Sequence, residues 1–111
     1  MPKTLEEMTK QIVEMFDHYE SQGTAHWTYK IAALDLSYQL GSLAKRILQL
    51  DGERYTEGLS KEEIKAKISD ELADILAEAL FISHELGMDM EQAWERMLAS
   101  DAKKIEERSQ K

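Results

Sequence analysis

Residues 60–87 read SKEEIKAKISDELADILAEALFISHELG, a stretch without proline and without glycine until its last position. Ser60 followed by Glu63 is a capping-box pattern, in which the hydroxyl and the carboxylate each satisfy a backbone N–H at a helix start. From there Ile64, Ile68, Leu72, Ile75, Leu76, Ala79, Leu80, Ile82 and Leu86 recur at the three- and four-residue spacing of one helical face. The spacing predicts a helix from Lys61 to Leu86, closed by Gly87 in the left-handed conformation that glycine tolerates. Phe81 falls on the far side of that apolar arc, with Ala73 and Ala77.

Working outward, the same signals divide the rest of the chain. Downstream, Asp89 followed by Gln92 caps another helix, which extends to about Arg108 and leaves a fraying tail over Ser109 to Lys111. Upstream, Glu53 to Leu59 is a polar loop following an Asp51-Gly52 turn, and the preceding helix starts between Thr24 and Thr28 and runs to about Leu50. Thr4 and Glu7 open the first helix, whose apolar positions Leu5, Met8, Ile12, Met15 and Tyr19 carry it to about Ser21, before Gly23. The expected fold is all-α, four helices in one domain spanning residues 1–111.

Composition narrows the function. Fourteen Lys and Arg against 22 Asp and Glu give a formal net charge of −8, which repels phosphate backbones and acidic membranes, so neither nucleic acid nor membrane is an expected partner. No apolar run reaches the length of a bilayer span, and residues 1–23 lack the pattern of a secretory signal, which points to a cytoplasmic protein. With no cysteine, any bound cation must be held by oxygen or imidazole, and Mg²⁺ or Mn²⁺ is the natural guess. No P-loop, nucleophile elbow or glycine-rich dinucleotide motif is present.

The second helix is apolar around nearly its whole circumference, apart from one narrow stripe of Asp35, Gln39, Ser42, Arg46 and Gln49. Such a helix needs burial on more than one side, and four helices of this length cannot supply that alone. A homodimer or homotetramer is therefore expected, with the second and third helices packed against their copies.

On the third helix Glu71, Asp74, Glu78 and Glu85 line one face beside Lys67. Stacked carboxylates repel one another, and a divalent cation held by several of their oxygens relieves the repulsion. An acidic stripe can equally be the solvated face of an amphipathic helix in an acidic protein. His26 and Trp27, at the entry to the second helix, suit a planar heterocycle, although such a pair also anchors helix starts. Lys30 beside them, and Lys103, Lys104 and Arg108 at the end of the fourth helix, are candidate phosphate contacts; cations at a helix C-terminus also complement its dipole. His18 and His84 have no partners at ligand spacing and read as structural or surface residues, and Trp94 with Met8, Met15 and Met97 as packing residues.

The run Asp70-Glu71-Leu72-Ala73-Asp74-Ile75-Leu76, followed by Gly87-Met88-Asp89-Met90-Glu91-Gln92-Ala93-Trp94, resembles the second half of the MazG-like nucleotide pyrophosphohydrolase signature: an E-x-x-D pair, a Gly-x-Asp turn, then a helix opening with an acidic or amide residue before Ala. Leu40-Gly41-Ser42-Leu43-Ala44 is similar to the other half, an E-x-x-E helix with Gly before the second Glu. The resemblance spans about residues 26–105. It implies a four-helix MazG-like bundle assembled as dimers or tetramers, which hydrolyses a nucleoside triphosphate to monophosphate and pyrophosphate with Mg²⁺. On that likeness Glu71 and Asp74 are metal ligands, and the E-x-x-E carboxylates fall on Gln39 and Ser42. Asp35, one turn before Gln39, is then the candidate to supply the missing charge, and Glu78 on the third helix is a further candidate ligand. The basic and amide positions near the family's phosphates fall on Met97 and Asp101, leaving Lys104 and Arg108 as the cations there. The alternative is a non-catalytic module of the same fold that binds a nucleotide or assembles with another protein.

Overall fold

The computed structural model describes residues 2–110, and over them the chain is helical without strands. The elements are α1 (Leu5–Ser21), α2 (Tyr29–Leu50), α3 (Lys61–Glu85) and α4 (Met90–Ser109). Each helix starts where a side-chain oxygen can replace a missing backbone acceptor: Thr4 accepts from Glu7 N, Thr28 from Ile31 N and Asp89 from Gln92 N. Ser60 and Glu63 form the full reciprocal capping box at α3. The ends are equally local. At Gly87 (φ 68°) the N–H of Met88 donates to Ser83 O at 2.8 Å and that of Gly87 to His84 O at 3.1 Å, the paired bonds of a left-handed helix stop. Gly52 (φ 78°) stops α2 in the same way, with Glu53 N donating to Leu48 O.

α3 is the central element. α2 packs along it, and α1 covers its C-terminal half, while α4 makes no comparable contact and buries no residue. The expected four-helix bundle is therefore three packed helices plus a fourth that stands off. No helix among the described residues is long and apolar enough to cross a membrane.

The fully buried apolar side chains among the described residues are few: Ala32, Ile64, Leu80 and Phe81. Leu72 and Leu76, expected in the core, are exposed, whereas Phe81, expected on the far side of the apolar arc, is buried. Trp94, Met97 and Met15, read as packing residues, are also exposed, and Met8 is half-buried. Helical periodicity says which residues share a face, but which face is covered is set by tertiary packing.

Candidate functional site: an acidic seam between two helices

The polar stripe of α2 is turned inward, against α3. Ser42 Oγ donates to Glu71 Oε1 at 2.6 Å, and Asp35 lies near enough to Glu78 to raise its pKa. These two pairings fix an antiparallel register. Stepping along it sets Gln39 at the level of Asp74, Arg46 at the level of Lys67 and Gln49 at the level of Ile64. Most of these rungs are buried or half-buried between the two helices, while Asp74 stands exposed at the rim, and α2 keeps apolar side chains on its outer side.

At the loop end the seam closes on itself. Gln49, which is fully buried, accepts from Arg46 Nη1 at 3.1 Å and donates to Tyr55 O at 3.1 Å, tying the connecting loop to α2. Lys45 pairs with Glu57 in the same loop at 2.8 Å. Arg46 Nε is left buried without a partner.

The other end is acidic. Gln39 Nε2 reaches Asp35 Oδ2 at 3.4 Å, the edge of hydrogen-bonding distance. Glu78 is 5% exposed, and its Oε2 meets no N–H or O–H donor. The Asp35 carboxyl is close enough to act on it electrostatically. Burial first, then Asp35 and Asp74, push the Glu78 carboxyl up to about 8. Asp74 is raised in the same direction by burial and by the charges of Glu71, Asp70 and Asp35. Asp74 and Glu78 thus both feel Asp35 across the seam, and Glu78 keeps its proton at neutral pH.

Comparison with family models, with characterised proteins and with solved structures finds no match. What the cluster can do is accordingly read from its own chemistry. The donors are all oxygen, the set that suits a hard divalent cation. Among the described residues no three Asp, Glu, His or Cys side chains stand together as a ready-made ion site. Glu71 is turned toward Ser42, and burial favours the protonated form of Glu78.

Beyond Glu78 on the same stripe of α3 come Phe81 and Glu85, three and seven residues on. There α1 and the α1–α2 loop leave a cleft of ≈ 520 Å³ whose lining includes Phe16, Trp27, Phe81, His26, Asp17 and Glu20. Phe16 sits between the other two rings, edge-on to Phe81 with centroids 4.6 Å apart and tilted to Trp27 at 5.4 Å. His26 Nδ1 lies 2.9 Å from Glu20 Oε2, and that carboxylate raises the imidazole's pKa. Trp27 and His26 thus line a pocket next to the seam, as their sequence position suggested. Phe16 and Phe81 escaped the sequence reading. The available signal was the alignment of Phe81 with Glu78 and Glu85 on the acidic stripe. His84, read as a surface residue, is exposed and also borders the cleft.

The cations are placed differently. Lys30 is exposed at the start of α2, and Lys104 and Arg108 are exposed on α4, which packs on neither seam helix to a comparable extent. Within one chain the basic residues of α4 are not built into the acidic cluster.

Proposed function

We propose that the chain is a divergent metal-dependent nucleoside triphosphate pyrophosphohydrolase whose cation site is the acidic end of the α2–α3 seam. The observation that carries this reading is the inward stripe: Asp35 lies across from Glu78 and within electrostatic reach of Asp74, the place a substitute ligand must occupy if Gln39 and Ser42 are not carboxylates. The likeness of residues 70–94 to the MazG-like signature supports it from the sequence.

In this reading Glu71, Asp74, Asp35 and Glu78 hold Mg²⁺ or Mn²⁺, with the Gln39 carbonyl as a neutral donor. The cation supplies the positive charge that offsets the triphosphate oxygens as the anhydride is cleaved by water to monophosphate and pyrophosphate. Trp27, with Phe16 and Phe81 behind it, offers the flat apolar wall that a nucleobase stacks on. Burial of Glu78, which favours its protonated form, keeps the cluster from carrying its full repulsive charge.

A second reading, a non-catalytic binding or assembly module, is favoured by the position of Lys104 and Arg108 away from the seam and by the Ser42 hydroxyl closing Glu71. A pyrophosphate-release assay over a panel of ribo- and deoxyribonucleoside triphosphates, with Mg²⁺ and with Mn²⁺, separates the two. Turnover of at least one nucleotide that vanishes with chelator is expected; no release from any nucleotide with either ion leaves the binding module.

A further inference from the structure

We propose that Arg46 and Lys67, level with each other across the seam one rung below Ser42 and Glu71, form an oxyanion site that binds a pyrophosphate group. Its part in turnover, holding the leaving end of the nucleotide, rests on the hydrolase reading; the site itself rests on the two cations.

The register that sets Ser42 against Glu71 puts Arg46 opposite Lys67. Both residues are half-buried, and like charges at one level of a helix pair repel. In a chain with 22 acidic residues a carboxylate between them would be the ordinary remedy. Among the described residues, however, the ion pairs are His26–Glu20 and Lys45–Glu57, so neither Arg46 nor Lys67 has one. Two acids that could serve are engaged. Glu71 Oε1 accepts from Ser42 Oγ, and Glu57 is paired with Lys45 at 2.8 Å, Arg46 acting on it only at longer range.

The donor left over is on the arginine. Arg46 Nη1 donates to Gln49 Oε1 at 3.1 Å, and Gln49, 2% exposed, is itself held by Tyr55 O. That chain fixes the guanidinium from one corner, while Nε is buried without an acceptor. Nε and Nη2 present their N–H bonds side by side, the fork that takes two oxygens of one phosphoryl group. A buried N–H without a partner is destabilising, and a phosphoryl oxygen supplies what it lacks. Lys67 adds a flexible point charge from the other helix.

Order along α3 selects which phosphates arrive there. Phe81 and the aromatic cleft lie beyond Glu78 at one end of the acidic stretch. Lys67 lies at the other end, one turn, or about 6 Å, before Glu71. A nucleotide with its base in the cleft and its phosphates among the carboxylates therefore points the far end of its triphosphate at Arg46 and Lys67. In hydrolysis the water oxygen bonds to the α-phosphorus and a water proton passes to solvent. The electron pair of the broken α–β anhydride bond leaves on pyrophosphate, whose charge the two cations offset. Lys104 and Arg108 are exposed on α4, off the seam, so within one chain this rung supplies the positive charge instead.

Calorimetric titration of inorganic pyrophosphate into the full chain, with Mg²⁺ present, tests the site without turnover. Wild type should bind it saturably. Arg46→Gln and Lys67→Gln should each weaken that binding by at least about 10-fold, and Lys67→Arg, which keeps the charge, should largely retain it. Because Arg46 also anchors Gln49, the Lys67 variants decide the matter if Arg46→Gln loses helical content. Lys104→Gln measures the effect of removing a positive charge anywhere and should change little. Where nucleotide is turned over, Lys67→Gln should raise the inhibition constant of pyrophosphate by the same factor. No saturable pyrophosphate binding by wild type, equal weakening in Lys67→Gln and Lys104→Gln, or an unchanged inhibition constant would each overturn the proposal. A wild type that binds pyrophosphate through this pair yet releases none from any nucleotide would remove the hydrolase reading and leave the oxyanion site standing.

Discussion

At pH 9, in the presence of chelator, Glu78→Gln is expected to melt at least about 10 °C above the wild type, while near pH 5 the two should melt close together. The Glu78 carboxyl is pushed up to about 8 by burial and by Asp35, so between its ordinary value of 4.5 and 8 the folded chain keeps a proton that the unfolded chain releases. A group raised in this way contributes stability that is fully present below the unfolded value and is lost as pH rises through the folded one. At about 1.4 kcal/mol per pKa unit, the loss by pH 9 is roughly 3–5 kcal/mol for Glu78. Asp74, raised by burial and by Glu71, adds to the loss with the same sign. Glutamine keeps the size of Glu78, donates an N–H to Asp35 and has no proton to lose, so it removes the slope. Thermal denaturation of both proteins from pH 5 to pH 9 measures the effect, and parallel curves would show that Glu78 is not held protonated in the seam.

Asp35→Asn is expected to lower metal-dependent pyrophosphate release by at least about 100-fold, corresponding to ~3 kcal/mol of lost transition-state stabilisation. The helical content should be unchanged, because asparagine preserves the size of Asp35 and can still hydrogen-bond to Glu78. The physical reason is charge. With Gln39 and Ser42 neutral, Asp35 is the one carboxylate that α2 brings to Asp74 and Glu78, and without it the cation is held from α3 alone. The complementary change, Gln39→Glu with Ser42→Glu, brings two carboxylates to the level of Asp74 and Glu71. It should tighten metal binding and weaken the metal-free fold, since Glu71 exchanges a hydroxyl donor at 2.6 Å for a like charge. Full activity in Asp35→Asn would remove Asp35 from the site, and activity created only by the restored pair would favour the binding module for the natural chain.

Much of this arrangement was legible in the sequence because it is set locally. The caps at Thr4, Ser60 and Asp89 and the stop at Gly87 fix helix ends through hydrogen bonds spanning only a few residues, and the structure places all four as the residues suggest. The polar stripe of α2 and the acidic stripe of α3 were visible as periodicities, and a short connection favours antiparallel pairing, so their meeting could be anticipated. What the residues could not reveal is where the first and fourth helices sit against that pair. Phe81 is buried because α1 brings Phe16 to it, a placement set by the loop between α1 and α2. Lys104 and Arg108 lie on a helix whose local signals are strong but whose position relative to the seam is a matter of tertiary packing.

The central claim, a divalent cation in the acidic seam, is tested most directly by calorimetric titration of Mn²⁺ into metal-free protein at pH 7, in two buffers of different ionisation enthalpy. A seam that exchanges the Glu78 proton for the ion predicts saturable binding with net proton release, seen as a buffer-dependent heat, and loss of both in Glu71→Gln and Asp74→Asn. Absence of saturable binding, or the same binding and proton release in wild type and both variants, would contradict it.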